Sequence, residues 1–137
     1  MSTMRLLAKV APIALILAVF LIGASLNAQT TFTWKGTNGS AWSDGSNWNP
    51  ATTPGPNDNV VFDGSAITYI VDVPSANATV NSISVLSNYT FNMAGNISTN
   101  DLDISGGSVV ILQSDIGLLE VGGALTLGSN CELKGGT

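Results

Sequence analysis

Leu102-Asp-Ile-Ser-Gly-Gly-Ser108 is followed by Leu119-Glu-Val-Gly-Gly-Ala124 and then by Leu133-Lys-Gly-Gly-Thr137. Each segment opens on an apolar residue beside a charged one and runs into a Gly-Gly pair. The pairs begin at Gly106, Gly122 and Gly135, so the spacing is short and uneven. Periods of this kind fit coils of a β-solenoid, in which glycine-rich corners turn the chain and each short strand stacks on the one before. A β-sandwich built from hairpins also has short strands and glycine turns and is the alternative. The solenoid is preferred because the Gly-Gly pairs recur at the same place relative to an apolar pair.

Upstream of these segments the same texture continues. Val60-Val61-Phe62 runs into the turn signal Asp63-Gly64. Ile67, Tyr69, Val71 and Val73 alternate with Thr68, Ile70 and Asp72, the two-residue period of a strand. Val80, Ile83 and Val85 form a further segment, and Tyr89, Phe91 and Met93 alternate with Thr90 and Asn92. Val109 to Leu112 is a continuous apolar run, and Leu125 and Leu127 alternate about Thr126. No helical period is sustained beyond residue 28, where Gly, Asn, Ser and Thr are abundant. The fold class expected is all-β. Gly135-Gly136-Thr137 follows directly on a strand-like segment with no polar cap. A solenoid that stops there exposes a strand edge and one end of its core, so downstream repeats are expected to cover it and the chain reads as a fragment.

Residues 1–28 are of a different kind. Arg5 and Lys9 precede an uncharged run whose apolar centre spans Val10 to Ala24, and Leu26 and Ala28 stand before the polar Gln29-Thr30-Thr31. This is the layout of a secretory signal peptide with cleavage after Ala28. The apolar centre is shorter than the roughly 20 residues that span a bilayer as a helix, and no Cys follows it as a lipoprotein would require. No membrane insertion is expected after cleavage, and the location expected is the cell surface or the extracellular space. The part beyond residue 28 keeps two basic residues, Lys35 and Lys134, against nine acidic ones, a net charge of −7. Such a chain repels phosphate backbones, which argues against nucleic acid as a partner. Cys131 is the only cysteine, so no internal disulfide staples the fold.

All three tryptophans lie at the start of the mature part, at 34, 42 and 48, with the turn formers Asp44-Gly45 and Asn47 between them and a proline-rich bend from Pro50 to Pro56 after them. The elements Trp34-Lys35-Gly36, then Trp42-Ser43 through Asn47-Trp48, then Pro54-Gly55 through Asp58, Val60 and Phe62, with Ala78-Thr79-Val80-Asn81-Ser82-Ile83 after them, resemble the opening of large exported β-helix repeat proteins of Gram-negative bacteria. These are autotransporter-like passengers and surface proteins of Bacteroidetes-type bacteria that use the type IX secretion system. The resemblance covers about residues 32–137. It implies a right-handed parallel β-helix and a cell-surface or secreted location. In those proteins a C-terminal translocator or sorting domain follows, and this sequence contains none. The organisation expected is a signal peptide at 1–28, a Trp-rich N-terminal cap at 29–64 and solenoid rungs at 65–137. The three indoles suit the cap, since the end of a solenoid must be covered by bulky apolar groups. Exposed, they would instead form a ligand platform, with Trp34, Trp42 and Trp48 stacking on pyranose rings.

Catalytic chemistry is sparse. The chain contains no His, so no Ser-His pair exists, and Lys35 and Lys134 lie at opposite ends of the mature part. Asp101 and Asp103 share a strand face; a glycosidase pair needs two such carboxylates, but a solvated outer face opposite Leu102 and Ile104 accounts for them. Asp44, Asp58 and Asp63 match neither an EF-hand nor a calcium-binding nonapeptide repeat, and turn-capping explains them. Cys131 shares parity with Leu133 and reads as a small buried hydrophobe. No catalytic residue, cofactor or metal is expected. The reading is a non-catalytic exported structural or adhesive β-repeat module, with cell-surface or matrix glycans and downstream repeats as partners. The alternatives are a carbohydrate-binding module and the N-terminal part of a larger glycan-active β-helix protein.

Overall fold

A computed structural model describes residues 28–113 and 117–135. The signal peptide expected at 1–28 lies, but for Ala28, outside the described residues. Among the described residues eleven strands follow one another: β1 (Thr31–Trp34), β2 (Trp48–Asn49), β3 (Asn59–Phe62), β4 (Ile70–Val73), β5 (Ala78–Val85), β6 (Tyr89–Met93), β7 (Ile97–Ile104), β8 (Val109–Gln113), β9 (Leu119–Val121), β10 (Leu125–Leu127) and β11 (Glu132–Gly135).

They form two sheets. One has the order β10-β7-β5-β3-β1-β2, with β9 also paired to β7; the other has the order β11-β8-β6-β4. From β3 to β8 the chain alternates between the sheets, and every strand pair except β1–β2 is parallel. Hairpins would pair consecutive strands antiparallel, so the sandwich is excluded. The fold is an all-β parallel solenoid of about three turns.

Register sets the core. Val60 pairs with Ile83, Ile83 with Leu102 and Leu102 with Leu125, so successive coils are of similar length. Phe62, Val85, Ile104 and Leu127 form the neighbouring column. In the second sheet Val71, Phe91, Leu112 and Gly135 are stacked in the same way. Within β5 the buried positions are Ala78 and Val80, then Ile83 and Val85, and the change of parity marks a bend at Asn81-Ser82. The same bend recurs in β7 at Asn100-Asp101, and in the next coil it separates β9 from β10. Asparagines hold it: Asn81 donates to Asn59 Oδ1 at 3.0 Å, and Asn100 donates to Asn81 Oδ1 at 3.0 Å. Side-chain amides also reach backbone N–H groups of the following coil: Asn77 accepts from Asn96 N, Asn96 from Leu118 N and Asn88 from Val109 N. In a fold with no disulfide these ladders fix one coil on the next.

The structure revises how the repeat is read. Gly106-Gly107 makes the corner between β7 and β8, with φ of +71° and +72°, where only glycine is unstrained. Gly122-Gly123 lies at the bend between β9 and β10, and Gly135 is inside β11. Gly106-Gly107, Gly122-Gly123 and Gly135 therefore occupy three different places in the coil. The partner of Leu119 is Ile97, and that of Leu133 is Val110; neither is equivalent to Leu102. The solenoid is correct, but its period is set by the apolar columns, one member per coil, rather than by glycine pairs. The stretch 29–64 also contributes strands as well as a covering, since β1 and β3 pair in register with the sheet.

Candidate functional site

The first end of the solenoid is built by residues 31–62. β1 adds to β3 in parallel, and β2 turns back antiparallel on β1, so that Trp34 lies opposite Trp48. Between them the chain crosses to the other sheet, where Ala41 forms a parallel bridge with Asp72 of β4. Trp42 N donates to Asp72 O at 3.0 Å, and Asp72 N donates to Ser40 O at 2.6 Å. Both sheets thus meet the same segment at this end.

The Trp ring system closes the space between the sheets. Trp34 is 0% exposed, and Trp42 and Trp48 are 2% exposed. Trp48 packs edge-to-face on Trp34 at 5.0 Å and on Trp42 at 4.8 Å, and all three surround Phe62 at 5.9–6.2 Å. Burial of an indole requires a partner for its N–H: Trp34 donates to Thr68 O at 3.0 Å and Trp48 to Trp42 O at 2.8 Å. The structure brings the three residues together as expected, but in the core. A sugar-stacking platform needs a ring face in solvent, and none of the three offers one.

Asn47, which is fully buried, organises the loop that carries these rings. Its Oδ1 accepts from Asn38 N at 2.7 Å and its Nδ2 donates to Ala41 O at 3.0 Å. Its carbonyl accepts from Lys35 N and Gly36 N. Asp44 caps the short 3₁₀ turn Gly45–Asn47. Hydrogen bonds from the Ser46 hydroxyl, then from Ser46 N–H and from Asn38, hold its carboxyl below the usual carboxylate value. Asp63 does the same for its own turn. Burial pushes its carboxyl up, but the Ser65 hydroxyl and N–H and the Lys35 ammonium together pull it below the ordinary value. Asp58 accepts from Gly55 N at 2.8 Å and Thr30 N at 3.2 Å. These three aspartates serve separate turns, and among the described residues no group of three or more His, Cys, Asp or Glu could hold a metal. Asp101 and Asp103 point outward from β7, and Asp101 Oδ1 accepts from Ala124 N at 2.9 Å. Cys131 is half-buried against the core rather than fully enclosed.

The core between the sheets is apolar. Its void of about 10 Å³, lined by Ile83, Phe91 and Leu102 among others, is at the limit for one water, and its apolar lining would leave that water unbonded. The opposite end is different. No residue of β9, β10 or β11 is buried. Leu118, Leu125 and Leu127 are 59%, 52% and 49% exposed. Leu112, Leu119, Val121, Leu125 and Leu133 line an open hollow of about 490 Å³. This apolar end was legible from the sequence.

A second exposed patch was not. Ile67, Tyr69 and Ile70 are 76%, 43% and 46% exposed, although Ile67 and Tyr69 alternate with Val71 and Val73 in the sequence as though they shared the buried face. The strand begins only at Ile70, because the Asp63-Gly64-Ser65 turn and the loop after it delay its start. The available signal was that turn. Among the described residues no helix is long and apolar enough to cross a membrane. No protein-family model, curated protein or solved structure matches this chain.

Proposed function

We propose that this chain is an exported, non-catalytic structural β-repeat module, closed at its Trp-rich end and used at its other end as a docking surface for further β-coils. The observation that supports the reading is the asymmetry of the two ends. One is covered by three buried indoles, and the other presents half-exposed leucines in the same columns that bury Val, Ile and Leu one coil earlier. Among the described residues, strands β9, β10 and β11 each pair on one side only, so their outer edges hold free backbone donors and acceptors, a template for another strand. Export rests on the charge and apolar pattern of residues 1–28, and adhesion to surface or matrix glycans on the resemblance of the opening motif.

The test is the association state. The protein is expected to self-associate with rising concentration, or to accept a peptide of one further coil with apolar residues in the Leu125, Leu127 and Leu133 columns. Leu125→Lys with Leu127→Lys should abolish both while retaining the β-sheet circular dichroism. Sedimentation that stays monomeric at all concentrations, with no uptake of the added coil, would overturn the reading.

A further inference from the structure

The outer face of the second sheet carries a feature that the first sheet lacks. Ile70, Thr90, Ile111 and Lys134 form one row across β4, β6, β8 and β11. Where the strands begin, Tyr69, Asn88 and Val109 join Ile70, Thr90 and Ile111 around a hollow of about 320 Å³. The matching row of the first sheet is Thr33, Val61, Ser84, Asp103 and Thr126, which holds one aliphatic side chain and a carboxylate.

The Tyr69 ring is held in place although it is exposed. Its hydroxyl donates to Gly64 O at 2.6 Å, and its ring leans on the buried Tyr89 at 5.1 Å. Asn88 Oδ1 accepts from Val109 N at 2.7 Å. That bond fixes the amide and leaves its two N–H donors without a partner among the described residues. Thr90 N is taken by Tyr69 O at 3.0 Å, while the Thr90 hydroxyl has no partner there and both donates and accepts. No charged side chain lines the hollow.

An aromatic face, an aliphatic floor and a few fixed neutral polar groups are the complement of a pyranose, which presents a C–H face and a rim of hydroxyls. Uronates and other anionic sugars meet no cation in the hollow and a net negative chain around it. We infer that the hollow at Tyr69 binds a neutral pyranose unit of a glycan, with its C–H face on the Tyr69 ring and its hydroxyls on Asn88 Nδ2 and Thr90 Oγ1. The site differs from the Trp cluster, which is closed to solvent, and it goes beyond the coil-docking role without depending on it.

The probes are cellohexaose, mannohexaose and galactohexaose as neutral chains and polygalacturonate as the anionic one, titrated by NMR and calorimetry into the protein. At least one neutral probe should bind with a Kd below about 10 mM and move the amide resonances of Tyr69, Asn88 and Thr90. Tyr69→Ala should weaken binding by about tenfold or more, as loss of an aromatic anchor does, with the melting temperature changed little. Tyr69→Phe should keep most of the affinity, and the isosteric Thr90→Val should lose about threefold for one hydroxyl contact. No binding of any neutral probe, binding insensitive to both Tyr69→Ala and Thr90→Val, or a preference for polygalacturonate would each overturn the inference. None of these outcomes bears on the association of the leucine-rich end.

Discussion

Phe62, Val85, Ile104 and Leu127 occupy one column of the solenoid, and Phe62, Val85 and Ile104 are 0–1% exposed where Leu127 is 49% exposed. The parallel column repeats the contrast, with Val60, Ile83 and Leu102 buried and Leu125 half exposed. The residues are similar in kind; what differs is whether a following coil lies among the described residues. In a solenoid, burial is supplied by the next coil, so an end must be closed by something else. At the first end three indoles and a reversed strand close it. At the far end nothing among the described residues does. Full burial of a leucine contributes about 1.5–3 kcal/mol, so each half-exposed leucine has on the order of 1 kcal/mol still to gain from a covering partner.

The largest expected effect follows from that contrast. Trp48→Ala removes an indole packed on Trp34, Trp42 and Phe62 and should cost about 3–5 kcal/mol in urea unfolding. Leu127→Ala, at the open end, should cost less than about 1 kcal/mol. Similar costs for the two would mean that the ends are equally well packed.

Next comes Asn47, whose side chain is the buried polar hub of the closed end. Asn47→Ala leaves Asn38 N–H and Ala41 C=O without their partner and should cost about 1–3 kcal/mol. A change within a few tenths of a kcal/mol would mean that the Trp packing alone holds the loop.

The smallest effect concerns Tyr89, whose buried hydroxyl has no hydrogen-bond partner among the described residues. Tyr89→Phe should be neutral or stabilise by up to about 1 kcal/mol at neutral pH, since it removes an unsatisfied polar group. Burial pushes the Tyr89 hydroxyl up to about 12, from an ordinary 10.0. Between those values the unfolded chain has released the proton that the folded chain retains, so wild-type stability should fall as pH rises through that window. Tyr89→Phe should flatten the fall in thermal melts between pH 9 and 12, and an unchanged slope would place the titration elsewhere.

The fold class and most strands were legible because alternation and β-branched runs are local signals. Val60–Phe62, Tyr89–Met93 and Val109–Leu112 all lie in strands. The repeat was harder to read. Coil equivalence is set by stacking between positions a full coil apart, and the inward positions tolerate Val, Ile, Leu, Phe and even Thr99, whose hydroxyl bonds to Asn81 O and Asp101 O. Glycine pairs are more conspicuous in the sequence, but they answer three different local needs. The tryptophans were identified as a group, and their burial depended on a chain reversal between Trp34 and Trp48 that no period encodes. Alternation misplaces Tyr69 for a related reason: it gives the parity of a strand but not where the strand starts.

Native-state hydrogen exchange, followed strand by strand over a protein dilution series, tests the difference between the two ends most directly. Amides of β1, β3, β5 and β7 should exchange only through near-global unfolding. Those of β9, β10 and β11 should exchange through local opening at far lower free energy, and should gain protection as concentration rises and the open end finds a partner. Uniform protection across all these strands, independent of concentration, would contradict that difference and mean that the far end is closed by the chain itself.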